Sequence, residues 1–285
     1  MKSIPIRQIS DRVKNTASRF SIRYLEVVLN GKPLQDELHR HDYFFILLIK
    51  SGSGEHMIDF INHRIKDHSL FILRPGQIHQ LSLEKDCTGF LMQFDSGFYV
   101  PESTSARQRF RRAANKNYCS PETSRFEKLY AVFEQIYQEN TSKEEGFLDV
   151  IRANLDIFCI QAVRQSRNSG QKATRELSYE QERFEELFEL LERHASDHKS
   201  VVEYAEMLKL SVYQLNKITK STVGKTVSEL IHEQLVLESK RTLLGTSNQV
   251  KDIAYSLGFD DVSYFIRFFK KSTGFSPEAF RNNFS

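Results

Sequence analysis

DIAYSLGFDDVSYFIRFFKKSTGFS, residues 252–276, decides the fold of the C-terminal third, because the chain carries a second version of it. Residues 203–226 read EYAEMLKLSVYQLNKITKSTVGKT. Ala205 aligns with Ala254, Leu208 with Leu257 and Leu210 with Phe259 at an offset of 49. One extra residue at Asp260 or Asp261 makes the offset 50. Val212 then meets Val262, Leu215 meets Phe265, Lys217 meets Arg267, Lys220 meets Lys270 and Gly224 meets Gly274. Each copy reads as a short helix, a tight turn and a second helix, the helix-turn-helix pattern. The turn asks for a residue that tolerates positive φ. Gly258 supplies it, whereas Lys209 in the same place costs roughly 1 kcal/mol if the left-handed conformation is kept.

A helical wheel separates the two kinds of residue in these segments. At 100° per residue, Val262, Phe268 and Phe269 fall within about 60° of Phe265. Ser263, Tyr264, Arg267, Lys270 and Lys271 fall on the other side. In the first copy Val212, Leu215, Ile218 and Thr219 group together, with Tyr213, Gln214, Asn216, Lys217 and Lys220 opposite or at the flank. Solvated helix faces normally mix signs. Met207 to Ser228 holds four lysines and no acid, and Val262 to Pro277 holds three basic residues and no acid. Two acid-free stripes on the second helices of two helix-turn-helix units are an electrostatic footprint for phosphate. Gln214, Asn216 and Arg267 add groups able to read base edges.

Helix starts around these units are marked by local chemistry. Ser200 with Glu203, Ser211 with Gln214 and Thr226 with Glu229 have capping-box spacing. Gly274 ends one helix, and Ser276-Pro277 opens the next, where Phe280 returns to the core. Residues 227–244, VSELIHEQLVLESKRTLL, suit one long helix that holds the two units apart. Duplex DNA presents successive major grooves about one helical turn apart.

Upstream the pattern changes. Residues 165–180, QSRNSGQKATRELSYE, are polar and without periodicity, the best linker candidate. Phe126, Leu129, Tyr130, Phe133, Ile136 and Tyr137 recur at helical spacing, as do Phe147, Leu148, Ile151, Leu155, Phe158 and Ala162. Two readings fit these helices: packing on the preceding domain, or pairing with a second subunit. From about 20 to 100, runs such as IRYLEVVLNG, YFFILLI and HSLFILRPGQIHQLSL, separated by Asn-Gly, Gly-Ser and Pro-Gly turns, read as the short strands of a β-sandwich or barrel. The expected organisation is therefore α+β. It comprises a β-rich domain with following helices in 1–165 (β part about 20–100, helices about 123–164), a linker at 166–180, and an all-α domain in 181–285.

Composition bounds the rest. The 285 residues carry a net charge of only +3, so any nucleic-acid signal is local. Cys87, Cys119 and Cys159 match neither a disulfide framework nor a zinc spacing. The N-terminus lacks a signal-peptide core, and the longest apolar run, Tyr43 to Ile49, is far short of a membrane span. A cytoplasmic protein with no membrane partner is expected.

The stretch IAYSLGFDDVSYFIRFFKKSTGFSPEAFR, with ESKRTLL before it, resembles the AraC/XylS family of bacterial transcription regulators over about 199–283. The resemblance implies two helix-turn-helix units joined by a linker helix on neighbouring major grooves, with recognition helices at about 211–221 and 261–272. Its DNA-binding residues would be Ser211, Tyr213, Gln214, Asn216, Lys217, Lys220, Ser263, Tyr264, Arg267, Lys270 and Lys271. Lys209, where the family has glycine, makes the first unit the weaker match. More loosely, ELHRHDYFFILLIKSGSGEHMID and FILRPGQIHQL resemble the cupin-like sensor domain of that family. That likeness implies a small effector or a homodimer, with activation the family's commoner outcome and RNA polymerase a further partner.

His39 and His41 share one strand face, and His79 follows Pro75-Gly76. The competing reading from another class is a metal-dependent cupin enzyme with a helical appendage. Such enzymes add a carboxylate about four residues after the second histidine, where this chain has Phe44, Phe45 and Ile46. The reading adopted is an effector pocket of His39, His41, Arg74 and His79, with no catalytic residue, metal or cofactor. The basic run 107–116, RQRFRRAANK, reads as a solvated connection.

Overall fold

A computed structural model describes residues 5–7, 19–165 and 175–284. These fall into two compact units, one within Pro5–Gln171 and one within Lys172–Ser285. The architecture is α+β, β-rich first and all-helical after.

The first unit is built on two sheets. Its elements begin with β1 (Ile6–Arg7), β2 (Phe20–Tyr24), α1 (Leu25–Leu29), β3 (Leu34–Gln35), β4 (His39–His41) and β5 (Phe44–Ser51). They continue with β6 (Gly54–Ile58), β7 (Ile61–Ile65), β8 (Ser69–Leu73), β9 (Ile78–Leu83) and β10 (Thr88–Phe94). After these come α2 (Thr104–Ala114), β11 (Tyr118–Cys119), α3 (Thr123–Ser142) and α4 (Phe147–Gln165). One sheet runs β1-β4-β9-β6-β7 with β3 also on β9, and the other runs β11-β8-β5-β10-β2.

The apolar run at β5 is explained by burial on both faces. Phe45, Leu47 and Ile49 enter the core between the sheets with Ile58, Ile65, Leu81 and Leu83. Ile46 and Leu48 face the opposite way, into a second core with Phe126, Leu129, Phe133 and Phe158 of α3 and α4. A strand covered on both faces loses the polar alternation of a half-exposed one. The helices' buried faces are thus spent on their own β-domain, the first of the two readings. Leu148 is not in that face: it is exposed.

Two segments differ from expectation. IRYLEVVLNG is a strand only to Tyr24, and Leu25–Leu29 is helical, with Leu25 and Leu29, four apart, both buried. Tertiary burial overrides the β preference of Val27-Val28. The basic run at 107–116 is mostly the helix α2, not a connection. Its fully buried residues are Ala106, Ala113 and Ala114, and the half-buried Phe110 between them packs on Phe44 and Tyr99, a single large apolar residue that signals a core face only weakly in the sequence.

The second unit holds α5 (Arg175–His194), α6 (Val201–Met207), α7 (Val212–Val223), α8 (Val227–Gly245), α9 (Val250–Ser256), α10 (Val262–Thr273) and α11 (Pro277–Phe284). The expected linker is helical from Arg175 onward, and 166–174 lie outside the described residues. All three capping boxes form, at Ser200/Glu203, Ser211/Gln214 and Thr226/Glu229. Ser276 Oγ accepts from Ala279 N–H at 3.2 Å, capping the Pro277 helix. Among the described residues no helix is long and apolar enough to cross a membrane.

Candidate nucleic-acid interface and sensor core

The two helix-turn-helix turns have the same hydrogen bonds. In the first, Lys209 N–H donates to Glu206 O at 3.0 Å and Leu210 N–H to Ala205 O at 2.9 Å. In the second, Gly258 N–H donates to Tyr255 O at 2.9 Å and Phe259 N–H to Ala254 O at 3.0 Å. Both are Schellman closures, which need a left-handed residue after the helix. Lys209 takes it at φ 54° and Gly258 at φ 68°, as the alignment requires. A Cβ on Gly258 would also lie 2.1 Å from Ser196 O, so the second turn needs glycine for space as well as for φ.

The turns aim α7 and α10. On α10, Phe265 and Phe269 are buried, Phe268 is half-buried, and Ser263, Tyr264, Arg267, Lys270 and Lys271 are exposed. Asp261 caps this helix by accepting from Ser263 N–H at 2.7 Å. On α7, Leu215, Ile218 and Thr219 are buried, while Ser211, Tyr213, Gln214, Lys217 and Lys220 are exposed, Tyr213 at 79%. Val212, grouped inward on the wheel, is 38% exposed; it stands in the first turn, beyond the reach of the core. Lys217, Lys220, Lys270 and Lys271 make no ion pair among the described residues. Among the described residues Arg267 pairs with Asp261, at 4.0 Å with both side chains mostly exposed, a geometry of little energetic weight.

Asn216 differs from the other polar residues of α7. It is half-buried, donates from Nδ2 to Val212 O at 3.1 Å, and accepts on Oδ1 from Val227 N–H at 3.0 Å. It therefore fastens α7 to the first residue of α8. Gln214 Oε1 accepts from Ser211 N–H at 2.9 Å, which commits its oxygen to the cap and leaves Nε2 as its outward chemistry. The other end of the pair is tied to α8 by His232, which bonds Ser272 Oγ at 2.9 Å and packs on Phe268 with ring centroids 4.7 Å apart. One helix is thus held by both recognition helices, and neither Asn216 nor His232 signals this in the sequence.

In the first unit, His39, His41 and His79 come together in the buried core. Their ring centroids are 4.2–4.7 Å apart. His41 and His79 meet Nε2 to Nε2 at 2.6 Å. A fourth histidine, His56 on β6, meets His79 Nδ1 through Nε2 at 2.9 Å. In the alternation Gly54-x-His56-x-Ile58 the inward positions are His56 and Ile58. Burial pushes His79 well below the ordinary imidazole value and His56 down to about 3. These rings are neutral at pH 7. Arg74, the fourth residue of the expected pocket, donates from Nη1 to Asn115 Oδ1 at 3.0 Å. A cavity of about 580 Å³ lies elsewhere, lined by Gly52, Ser53, Asn62, His63, Arg64, Ile65, Lys66, Asp67 and Tyr118.

A two-sheet domain followed by paired helix-turn-helix units with charged outer faces defines a DNA-binding regulator. Residues 25–154 match the AraC-like ligand binding domain and residues 204–283 match a helix-turn-helix domain. The chain belongs to the AraC/XylS family of transcription regulators. It is 19% identical over 253 residues to the HTH-type transcriptional activator RhaR of Yersinia pestis bv. Antiqua (strain Angola), covering 86% of this chain and 84% of that one. Against the RhaR of Mannheimia succiniciproducens it is 22% identical over 251 residues, 87% of each chain. Among solved structures, ToxT from Vibrio cholerae O395 aligns over 94% of this chain and 98% of its own at 16% identity, with a TM-score of 0.43.

Proposed function

We propose that the chain is a sequence-specific transcription activator that docks α7 and α10 in consecutive major grooves of one operator. The observation that carries this is the pair of exposed, acid-free faces on two helices fixed to one connecting helix. On α7, Ser211, Tyr213, Gln214, Lys217 and Lys220 meet the DNA, with Asn216 acting through the α7–α8 junction. On α10, Ser263, Tyr264, Arg267, Lys270 and Lys271 do so, Arg267 by bidentate reading of a base and the lysines by phosphate contact. Activation is supported by the RhaR relatives, which are HTH-type transcriptional activators.

Residues 1–165 sense a small effector and form a homodimer, 166–180 link, and 181–285 read DNA. Exposed Val150, Ala153 and Ile157 on α4 form an apolar line at helical spacing that suits a second copy. The protein works in the cytoplasm, contacts RNA polymerase, and carries out no catalytic step. Mapping the DNA bound by the chain in its own cells tests the reading. Discrete sites beside genes whose transcripts fall when the protein is deleted are expected. Diffuse binding contradicts operator recognition, and rising transcripts contradict activation.

A further inference from the structure

We propose that His39, His41 and His79 bind one divalent first-row transition-metal ion, with His56 as the positioning residue that holds His79. The inference deepens the sensor reading of the N-terminal unit by giving that unit a ligand chemistry. One ring nitrogen from each of the three lies within 4.8 Å of the others, on two strands paired His39 to His79.

The hydrogen bonds outside the triad fix the tautomers a metal needs. His39 Nδ1 is 2.7 Å from Glu37 O; a carbonyl only accepts, so Nδ1 carries the proton and Nε2 the lone pair. His79 Nδ1 is 2.9 Å from His56 Nε2. With the proton on His79, its Nε2 also presents a lone pair to the centre. Ligand imidazoles characteristically donate their second N–H in this way. The arrangement then leaves His56 Nδ1 carrying a proton, buried and without a hydrogen-bond partner. Leaving a buried polar group unsatisfied is costly, and packing alone would replace such a residue with an apolar one. Aiming His79 gives His56 a reason to be there.

A 2.6 Å approach of two imidazole nitrogens requires one proton between them. Metal binding removes that proton to His41 Nδ1, so all three rings stay neutral. Zinc–imidazole bonds of about 2.0–2.1 Å set tetrahedral ligand nitrogens roughly 3.3 Å apart, so the pair opens by less than one ångström. The rings already touch, and the surrounding Tyr43, Phe45 and Phe71 are buried. The space suits an ion and excludes an organic effector. Three imidazoles without a carboxylate favour zinc, nickel, copper or iron over magnesium or calcium.

The test uses the untagged full-length chain, stripped with chelator and titrated with Zn²⁺. One equivalent is expected. At a hundredfold excess over Kd, the melting temperature of the N-terminal unit should rise by about 5–10 °C. His79→Gln should abolish the uptake. His56→Gln should keep one equivalent but weaken its affinity by about 10–100-fold, a shift that a purely packing role would not produce. The wild-type titration stands if a variant fails to fold, as read by circular dichroism. Absence of stoichiometric uptake with Zn²⁺, Ni²⁺ and Fe²⁺, or uptake that persists unchanged in folded His79→Gln, overturns the proposal. Operator affinity measured beside it separates the two readings. A chain that binds duplex but no metal overturns this inference alone, and one that binds metal but no duplex overturns the regulator reading alone.

Discussion

The two helix-turn-helix units share a backbone and differ in what holds it. Both turns close with the same pair of hydrogen bonds and both recognition helices end at a left-handed glycine, Gly224 at φ 74° and Gly274 at φ 81°. The first is filled by Leu215, Ile218 and Thr219 and capped by the Ser211–Gln214 box; the second is filled by Phe265 and Phe269 and capped by Asp261. The second turn is also anchored from outside: Lys199 Nζ donates to Gly258 O and lies 4.2 Å from the Phe259 ring centre. The first bears a lysine where the second bears glycine. Hydrogen-bond closure and capping specify the unit, while the filling is free to change so long as it is apolar and fits.

That contrast can be broken in order of size. Phe265→Ala removes a fully buried ring from the second unit and should cost about 3–5 kcal/mol, read by denaturant unfolding of the full chain; a loss below 1 kcal/mol would mean the aromatic filling is dispensable. Gly258→Lys makes the turns alike in sequence. It should cost about 2–3 kcal/mol, because left-handed strain is joined by a clash of Cβ with Ser196 O. The reverse change, Lys209→Gly, should be nearly neutral or stabilising by less than about 1 kcal/mol. Equal and opposite effects would show that φ alone distinguishes the turns. On the DNA side, Arg267→Ala should weaken operator binding by about 1–3 kcal/mol and relax preference at one base position. Lys270→Ala should weaken all sequences alike and lower the slope of log K against log salt by about 1, measured by fluorescence anisotropy across salt concentrations.

The repeat was legible because its signals are local. Caps, a left-handed turn residue and a 3.6-residue period act within a few positions of themselves. The wheel assigned the α10 face correctly and failed on α7 only at Val212, where the helix has just begun and no core lies beneath. What was not legible depends on distant partners. Asn216 looks like a base reader until Val227 N–H takes its oxygen. α2 hides because its fully buried residues are alanine and Phe110 is the one large residue on its inward face. The linker's last residues are helical despite polar composition. In the sensor, His39, His41 and His79 stand out by spacing, whereas Arg74 was added for its positive charge, and the sequence carries no sign of the bond from its Nη1 to Asn115 Oδ1. His56 joins them across a sheet, through the β6–β9 pairing.

The central claim is that two unequal units read one operator together. Selecting bound duplexes from a random pool tests it directly, with the wild type and with Gln214→Ala and Arg267→Ala compared. The account predicts two specified blocks of base pairs with centres about 10–10.5 bp apart, the first relaxed only by Gln214→Ala and the second only by Arg267→Ala. A single specified block, or one variant relaxing both, would contradict it.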